Sequence, residues 1–257
     1  CEIVDARIPV SSRNPDIDAI CGDKPRMIVL NRMDLADPAA TKKWAEYFRR
    51  KGMAVIATDC KSKKGISAFT PAARLACAEK LERDAKRGMN RPLRVMVVGI
   101  PNVGKSTLIN QISGRKSAKA ENRPGVTRGK QWVMVDSGLQ LLDTPGILWP
   151  KFEDPEVGMM LAYTGAVKEG VIDLEELAYR LMELLHKFYP QTLLERYKVE
   201  ALEGTSGWQL LEMAGRKRGY LVSGGEVNTE RMAKVLLDEF RSGKLGNFTL
   251  EMPEDMV

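Results

Sequence analysis

Gly99-Ile100-Pro101-Asn102-Val103-Gly104-Lys105-Ser106 is the stretch on which the fold of this chain turns. It fits GxxxxGKS, and it stands between an apolar run, Leu93 to Val98, that reads as a strand and a segment, Lys105 to Ser113, that reads as a helix stopped by Gly114. In a strand, glycine-rich turn and helix of this kind, backbone N–H groups turn inward around a phosphate while the positive end of the helix faces the same anion. Lys105 is then placed to reach the β- and γ-phosphates of a nucleotide, and the Ser106 hydroxyl to bind Mg²⁺.

Downstream, Asp143-Thr144-Pro145-Gly146 follows the apolar run Leu139 to Leu142, 38 residues after Lys105. That is where an aspartate holding Mg²⁺ through its water shell belongs, with a glycine N–H three residues on facing the γ-phosphate. Between the two motifs, Thr127 in Pro124-Gly125-Val126-Thr127-Arg128-Gly129 is the candidate switch threonine that closes on Mg²⁺. Thr107 and Thr144 are tied to their own motifs.

Upstream, Asn31-Arg32-Met33-Asp34 follows the strand-like run 26 to 30 and resembles the NKxD motif of GTPases. A carboxylate at Asp34 can accept from both N1–H and the exocyclic amine of guanine, a donor pair adenine lacks, while Asn31 braces the loop. Arg32 stands where lysine is usual. A guanidinium plane can pack over the base as a lysine stem does. After the next strand, Thr58-Asp59-Cys60-Lys61 takes the place of a second base loop, with Cys60 where a serine is usual; there the base oxygen is expected to meet backbone N–H groups.

The remaining elements follow from spacing and punctuation. Residues 26 to 30 and Met53 to Ala57 read as strands, and Asp37-Pro38 caps a helix running to about Lys51. Ile66 to about Arg87 reads as largely helical, with apolar Phe69, Leu75 and Leu81. Gln131 to Val135 and Leu139 to Leu142 read as a hairpin, and from about Asp173 the pattern is helical with no convincing strand. Strands alternating with helices predict an α/β fold with a mostly parallel sheet, followed by a small all-helical module. The division is expected near residue 170, giving 1–170 and 171–257.

The 257 residues carry a formal charge of +6, unevenly spread. From residue 171 onward there are 11 Lys/Arg against 15 Asp/Glu, leaving 29 against 19 for the first 170. Two basic clusters, Thr41 to Lys64 and Ser113 to Lys130, flank the nucleotide motifs and point to a polyanionic partner, Lys116, Lys119 and Arg123 among the candidate contacts. No apolar run reaches the roughly 20 residues of a membrane helix. Cys1, Cys21, Cys60 and Cys77 lack metal or disulfide-framework spacing, which suits a reducing cytoplasm. Glu2-Ile3-Val4-Asp5 reads as the end of a strand, so more chain is expected upstream.

The order of motifs, with base loops first, then phosphate loop, switch threonine and DxxG, is a circular permutation of the common one. With Asp5-Ala6-Arg7-Ile8-Pro9 and Ser12-Arg13-Asn14-Pro15 in front and Phe240-Arg241-Ser242-Gly243-Lys244-Leu245-Gly246 near the end, the chain resembles the circularly permuted ribosome biogenesis GTPases over nearly its whole length. The resemblance implies GTP binding and hydrolysis stimulated by the ribosomal particle, work on the large ribosomal subunit or its precursor and its rRNA, and a C-terminal ANTAR-like RNA-binding domain, in which Arg216, Lys217, Arg218, Arg241 and Lys244 are the candidate contacts. A cytoplasmic monomer is expected.

The nucleotide-binding set is then Asn31, Arg32, Asp34, Asp59, Cys60, Asn102, Val103, Gly104, Lys105, Ser106, Thr107 and Gly146. Lys105, Thr127 and Gly146 would serve catalysis, and Ser106, Thr127 and Asp143 would hold Mg²⁺. Asn102, at a position where cation-dependent GTPases hold K⁺, is the candidate K⁺ ligand, the ion substituting for an arginine finger. Ile147 follows Gly146 where many GTPases have a water-orienting glutamine, and an aliphatic side chain cannot orient water. In similar proteins a histidine in an N-terminal segment is assigned that work; here the one histidine, His186, lies in a helical stretch and reads as structural. Slow hydrolysis by this chain alone is expected. A non-catalytic, GTP-liganded rRNA scaffold is the alternative, and a GTPase acting on tRNA or at a membrane surface is a second.

Overall fold

The computed structural model describes residues 1–89, 91–114, 131–136, 138–144, 154–167, 173–200 and 203–253. The chain divides into two compact units, Cys1–Lys151 with Glu251–Val257, and Phe152–Leu250. The division falls ahead of the expected residue 170 because the helix Pro155–Tyr163 packs with the helices that follow it, and Glu251 rejoins the first unit.

In the first unit, β1 (Glu2–Asp5), β2 (Met27–Asn31) and β3 (Ala54–Thr58) pair in parallel in the order β1-β2-β3. Strand β4 (Leu93–Val97) pairs in parallel with β6 (Leu139–Asp143), and β5 (Gln131–Asp136) closes the edge antiparallel to β6. The two groups join where the Ile3 N–H donates to Val98 O and the Val98 N–H to Cys1 O, both at 2.9 Å, so the strand order across the unit is β3-β2-β1-β4-β6-β5. β1 and β2 are buried at every position, as a parallel strand covered on both faces should be.

The core beside β1 and β2 is built by α2 (Pro38–Arg50). The Asp37 carboxylate caps it by accepting from the N–H groups of Ala39 and Ala40, and Pro38 occupies the first turn, where its missing N–H costs nothing. Ala40, Trp44 and Phe48 repeat every four residues on the buried stripe, and Trp44 stacks on Phe48 with ring centroids 5.6 Å apart. These rings cover Val4, Ile28, Leu30 and Val55.

Short α1 (Ile17–Cys21) precedes β2, and Lys105–Ser113 forms α5. The segment from 66 to 87, expected to be largely helical, is so in three pieces: a 3₁₀ turn, Ile66–Ala68, then α3 (Phe69–Ala76) and α4 (Ala78–Lys86), parted at Cys77. Phe69, Leu75 and Leu81 are six apart, a spacing that carries successive side chains around the helix rather than along one face. Accordingly Phe69 is buried and Leu75 is 74% exposed.

The second unit is helical: α6 (Pro155–Tyr163), α7 (Leu174–Phe188), α8 (Pro190–Tyr197), α9 (Gly207–Lys217) and α10 (Thr229–Ser242). Each of α6, α7, α9 and α10 starts on a side-chain cap, from Asp154, Asp173, Ser206 and Asn228. Its core is Leu181, Met182, Leu185, Leu210, Ala214, Leu236 and Phe240. α7 and α9 approach so closely that a Cβ on Gly207 would lie 2.1 Å from Tyr179 O. No described helix is long and apolar enough to cross a membrane, and all four cysteines are free.

Candidate nucleotide-binding site

Strand register brings the motifs together. Asp5 pairs with Asn31 and Asn31 with Thr58, so the carboxyl ends of β1, β2 and β3 lie in one row. Val97 pairs with Asp143, which puts the DxxG aspartate beside the start of the phosphate loop. From neighbouring β1 and β4 the sheet is built outward in opposite directions, and the crevice outside the strand ends at such a reversal is where open α/β sheets take ligands.

Asn31 is the hub. Its amide nitrogen donates to Val103 O at 2.7 Å, and its amide oxygen accepts from the Thr58 hydroxyl at 3.1 Å and the Cys60 N–H at 3.2 Å. One buried side chain thus joins the first base loop, the second base loop and the phosphate loop. The Arg32 guanidinium adds a second joint, donating to Asn102 O at 2.7 Å. Both loops reach these contacts in left-handed conformations, Arg32 at φ 61° and Asn102 at φ 59°.

The phosphate loop wraps tightly. Gly104 has φ 108°, and a Cβ there would lie 2.4 Å from the Asn31 amide nitrogen; at Gly99, with φ 155°, it would lie 2.5 Å from Ile3 O. Lys105 folds over the turn, its ammonium donating to Gly99 O at 2.9 Å and Ile100 O at 2.7 Å. Burial pushes its pKa down to about 8, against the pull of Asp143. Ser106 Oγ lies 3.4 Å from Asp143 Oδ2, and the Thr144 hydroxyl donates to Val97 O at 2.7 Å, fixing the end of β6.

These residues fit a nucleotide with Mg²⁺. The α5 N-terminus carries no side-chain cap, so its positive end faces the loop, and the buried Lys105 sits beside it. Ser106 and Asp143 offer a hydroxyl and one carboxylate, the sparse donor set that Mg²⁺ takes alongside phosphate oxygens and water.

Asp34 is exposed at the loop end, and partial loss of water around its carboxyl, followed by the nearby Asp59 charge, pushes its pKa up. Asp59 and Cys60 are both tied into the second base loop. The Asp59 carboxylate accepts from the Lys61 N–H at 2.8 Å and organises its own loop, its pKa lowered against burial by hydrogen bonds led by Ser62. The Cys60 N–H is held by Asn31, and burial raises the thiol pKa to about 11. Val103 is buried and Thr107 half-buried.

Thr127, Gly146, Ile147, Lys116, Lys119 and Arg123 lie outside the described residues. His186 is in the last turn of α7 in the second unit. There, Arg216, Lys217 and Lys244 are exposed, while the other two candidate RNA contacts are built into the unit. Arg241 donates to Tyr163 O at 3.1 Å and Ala162 O at 2.9 Å, capping α6. The Arg218 guanidinium lies 5.2 Å over the Tyr197 ring and 3.5 Å from the Glu239 carboxylate.

Sequence reading missed Thr58, Asp5 and Arg7. Thr58 was within a recognised motif, but nothing in that motif marks a hydroxyl at its first position as the partner of Asn31.

Residues 94–197 match the family model described as "50S ribosome-binding GTPase". The chain is 43% identical to Ribosome biogenesis GTPase A of Priestia megaterium over 256 residues, 99% of this chain and 88% of that one, and 44% identical to the protein of the same name from Bacillus licheniformis, covering 99% and 90%. Among solved structures, the GDP-bound structure of TM YlqF superposes with a TM-score of 0.70 at 29% identity, over 99% of this chain and 95% of that one. With the permuted order of its loops realised in one sheet and this similarity along nearly its full length, the chain belongs to the ribosome biogenesis GTPase A family of circularly permuted GTPases.

Proposed function

We propose that this GTPase times a step in assembly of the large ribosomal subunit, binding the particle in its GTP state and hydrolysing GTP faster on it. The observation that carries this reading is the double joint between base loop and phosphate loop, Asn31 to Val103 and Arg32 to Asn102, which makes recognition of guanine and gripping of phosphates one event. Support for the large subunit comes from the description of the matching family model.

In this reading Asp34 reads the guanine edge, Lys105 and the N–H groups from Gly104 to Thr107 hold the phosphates, and Ser106, Asp143 and Thr127 hold Mg²⁺. Bound Mg²⁺ would neutralise charge on the phosphate oxygens. Lys105 brings a positive charge to the β- and γ-phosphates and takes its proton fully when they arrive, because a dianion beside it reverses the effect of burial. The Gly146 N–H would face the γ-phosphate, and Asn102 would hold K⁺ beside it. Arg216, Lys217 and Lys244 contact rRNA phosphates from the helical unit, with Arg218 and Arg241 shaping the surface that carries them. The protein acts as a cytoplasmic monomer.

Co-sedimentation with purified large subunits tests the reading. The GTP-loaded protein should pellet with the particle, the GDP-loaded protein should stay in solution, and single-turnover hydrolysis should accelerate when the particle is added. Equal pelleting in both states, or preference for tRNA, would overturn it.

A further inference from the structure

Arg32 stands where lysine is usual, and a pair of residues distant in sequence accounts for it. The Arg32 Nε lies 3.6 Å from Asp5 Oδ2 while another nitrogen of the same guanidinium donates to Asn102 O at 2.7 Å. Asp5, buried at the end of β1, is held in turn by Arg7: Nε donates to Oδ1 at 3.0 Å, Nη2 to Oδ2 at 2.7 Å, and the Arg7 backbone N–H to Oδ1 at 3.0 Å. The Arg7 side chain is fully buried, and the Asp5 N–H donates to Ser12 Oγ at 3.0 Å. Burial pushes the Asp5 carboxyl upward, yet Arg7 and then Arg32 hold its pKa below the ordinary carboxylate range.

A carboxylate gripped by a bidentate fork and a backbone N–H cannot rotate, so it offers Arg32 a fixed charge. A planar fork meets that charge and the Asn102 carbonyl from two separate nitrogens held in one plane; an ammonium projects its three donors from one nitrogen, which would have to sit within reach of both oxygens at once. The arginine at this position and the Asp5–Arg7 pair therefore form one device.

We propose that Asp5, clamped by Arg7, is a positioning residue for guanine-nucleotide binding, holding Arg32 where its guanidinium ties the base loop to the phosphate loop at Asn102. The proposal rests on the reading of residues 31 to 34 as the base loop. Asp5 acts through Arg32: it keeps the two loops joined before nucleotide arrives, so the ordering cost is not met at binding.

The test is a double-mutant cycle of Asp5→Asn and Arg32→Ala on the full chain, read by dissociation constants for fluorescent GDP and GTP. D5N keeps the shape of the site and removes the charge, and should weaken both nucleotides by about tenfold, the scale of one close ion pair shielded from water. In the R32A background the same change should cost less than about twofold, because the residue through which Asp5 acts is gone. A purely structural Asp5 would cost the same factor in both backgrounds, and that result, or an unchanged affinity for D5N, overturns the proposal. Should D5N not fold, Arg32→Lys carries the test: a loss of about threefold or more supports the fork, and a smaller loss overturns it. Asp34→Asn keeps the two readings apart. Guanine preference surviving D34N overturns the base-loop reading, whereas lost preference in D34N with a neutral D5N overturns the positioning role alone.

Discussion

The Asn31 side-chain amide donates to the Val103 main-chain carbonyl at 2.7 Å, so the loop after β2 and the loop after β4 are joined by one side chain that also accepts from Thr58 and Cys60. Truncation of Asn31 to alanine leaves three buried partners without it. Asn31→Ala should destabilise the first unit by about 2–4 kcal/mol, at the usual cost of stranding buried polar groups, and weaken GDP by at least about 100-fold. Urea unfolding and nucleotide titration measure the two losses separately. A variant with intact stability and intact affinity would show that the joint is dispensable.

Lys105 should behave in opposite ways with and without ligand. Burial lowers its folded-state pKa from 10.5 to about 8, so between those values the unfolded chain holds more protons than the folded one. The lysine's contribution to ligand-free stability therefore improves as pH rises from about 8 toward 10.5, and it opposes folding below that window. Lys105→Met should leave the ligand-free melting temperature unchanged or higher while abolishing the rise that GTP produces. In the wild type, GDP affinity should fall as pH climbs from 8 to 10, since bound phosphate keeps the proton that the free site loses. Thermal shifts and calorimetric titrations across that range check both signs.

The two glycines of the phosphate loop should fail differently. At Gly99 an added Cβ meets the Ile3 carbonyl, part of strand β1, which cannot move without parting the β1–β4 joint. At Gly104 it meets the end of the Asn31 side chain, which can swing away at the cost of its bond to Val103. Gly99→Ala should thus lower stability most, by about 2–4 kcal/mol, and Gly104→Ala should lower nucleotide affinity most. Equal effects of both on both measurements would contradict this division.

Glu251 ties the chain's return to the first unit. Its carboxylate accepts from the Val10 N–H at 2.6 Å, the Ser11 N–H at 3.1 Å and the Ser11 hydroxyl, and its carbonyl accepts from the Trp44 indole at 2.8 Å. Burial pushes its pKa above 4.5 despite those donors. A raised carboxylate pKa contributes stability that is complete below 4.5 and is lost as pH rises through the folded value. Glu251→Gln, which does not titrate, should accordingly be more destabilising at pH 4.5 than at pH 7.5, as read from unfolding midpoints at the two values. A gap that widens with pH would refute the assignment.

How much of this was legible in the sequence depended on the range of the interaction. GxxxxGKS, DxxG and the base motif are contiguous and sit at strand ends, so their residue types report their surroundings directly, and the permuted order of these blocks followed from reading along the chain. The contacts that make the blocks one site run between residues such as Asn31 and Val103 or Arg32 and Asp5, which share no local pattern. Glu251 and Ser11 are 240 residues apart and neither is unusual in its own segment. The stretch from Ile66 to Lys86 is helical as its composition indicates, but the break at Cys77 and the exposure of Leu75 depend on angle around the axis, which apolar content does not carry, and no residue type marks the Cys60 N–H as the partner of Asn31.

Base selectivity gives the sharpest separation of outcomes. An ionised Asp34 can accept from both N1–H and the 2-amino group of guanine, whereas an asparagine there offers an N–H donor that suits a base with a 2-oxo group. Asp34→Asn should weaken GDP by at least about 100-fold and strengthen xanthosine diphosphate by a similar factor, because buried polar edges discriminate strongly against a partner that leaves them unmatched. The pH dependence carries the same signature. Partial desolvation and the neighbouring Asp59 raise the Asp34 pKa above 3.8, so protonation removes an acceptor earlier than in an ordinary carboxylate, and guanine affinity should decline as pH falls through that raised value. D34N should lose this acid limb. Competition between guanosine and xanthosine diphosphates over an acidic pH series measures both effects at once, and a D34N protein that still prefers guanine with the wild-type acid limb would remove Asp34 from the site.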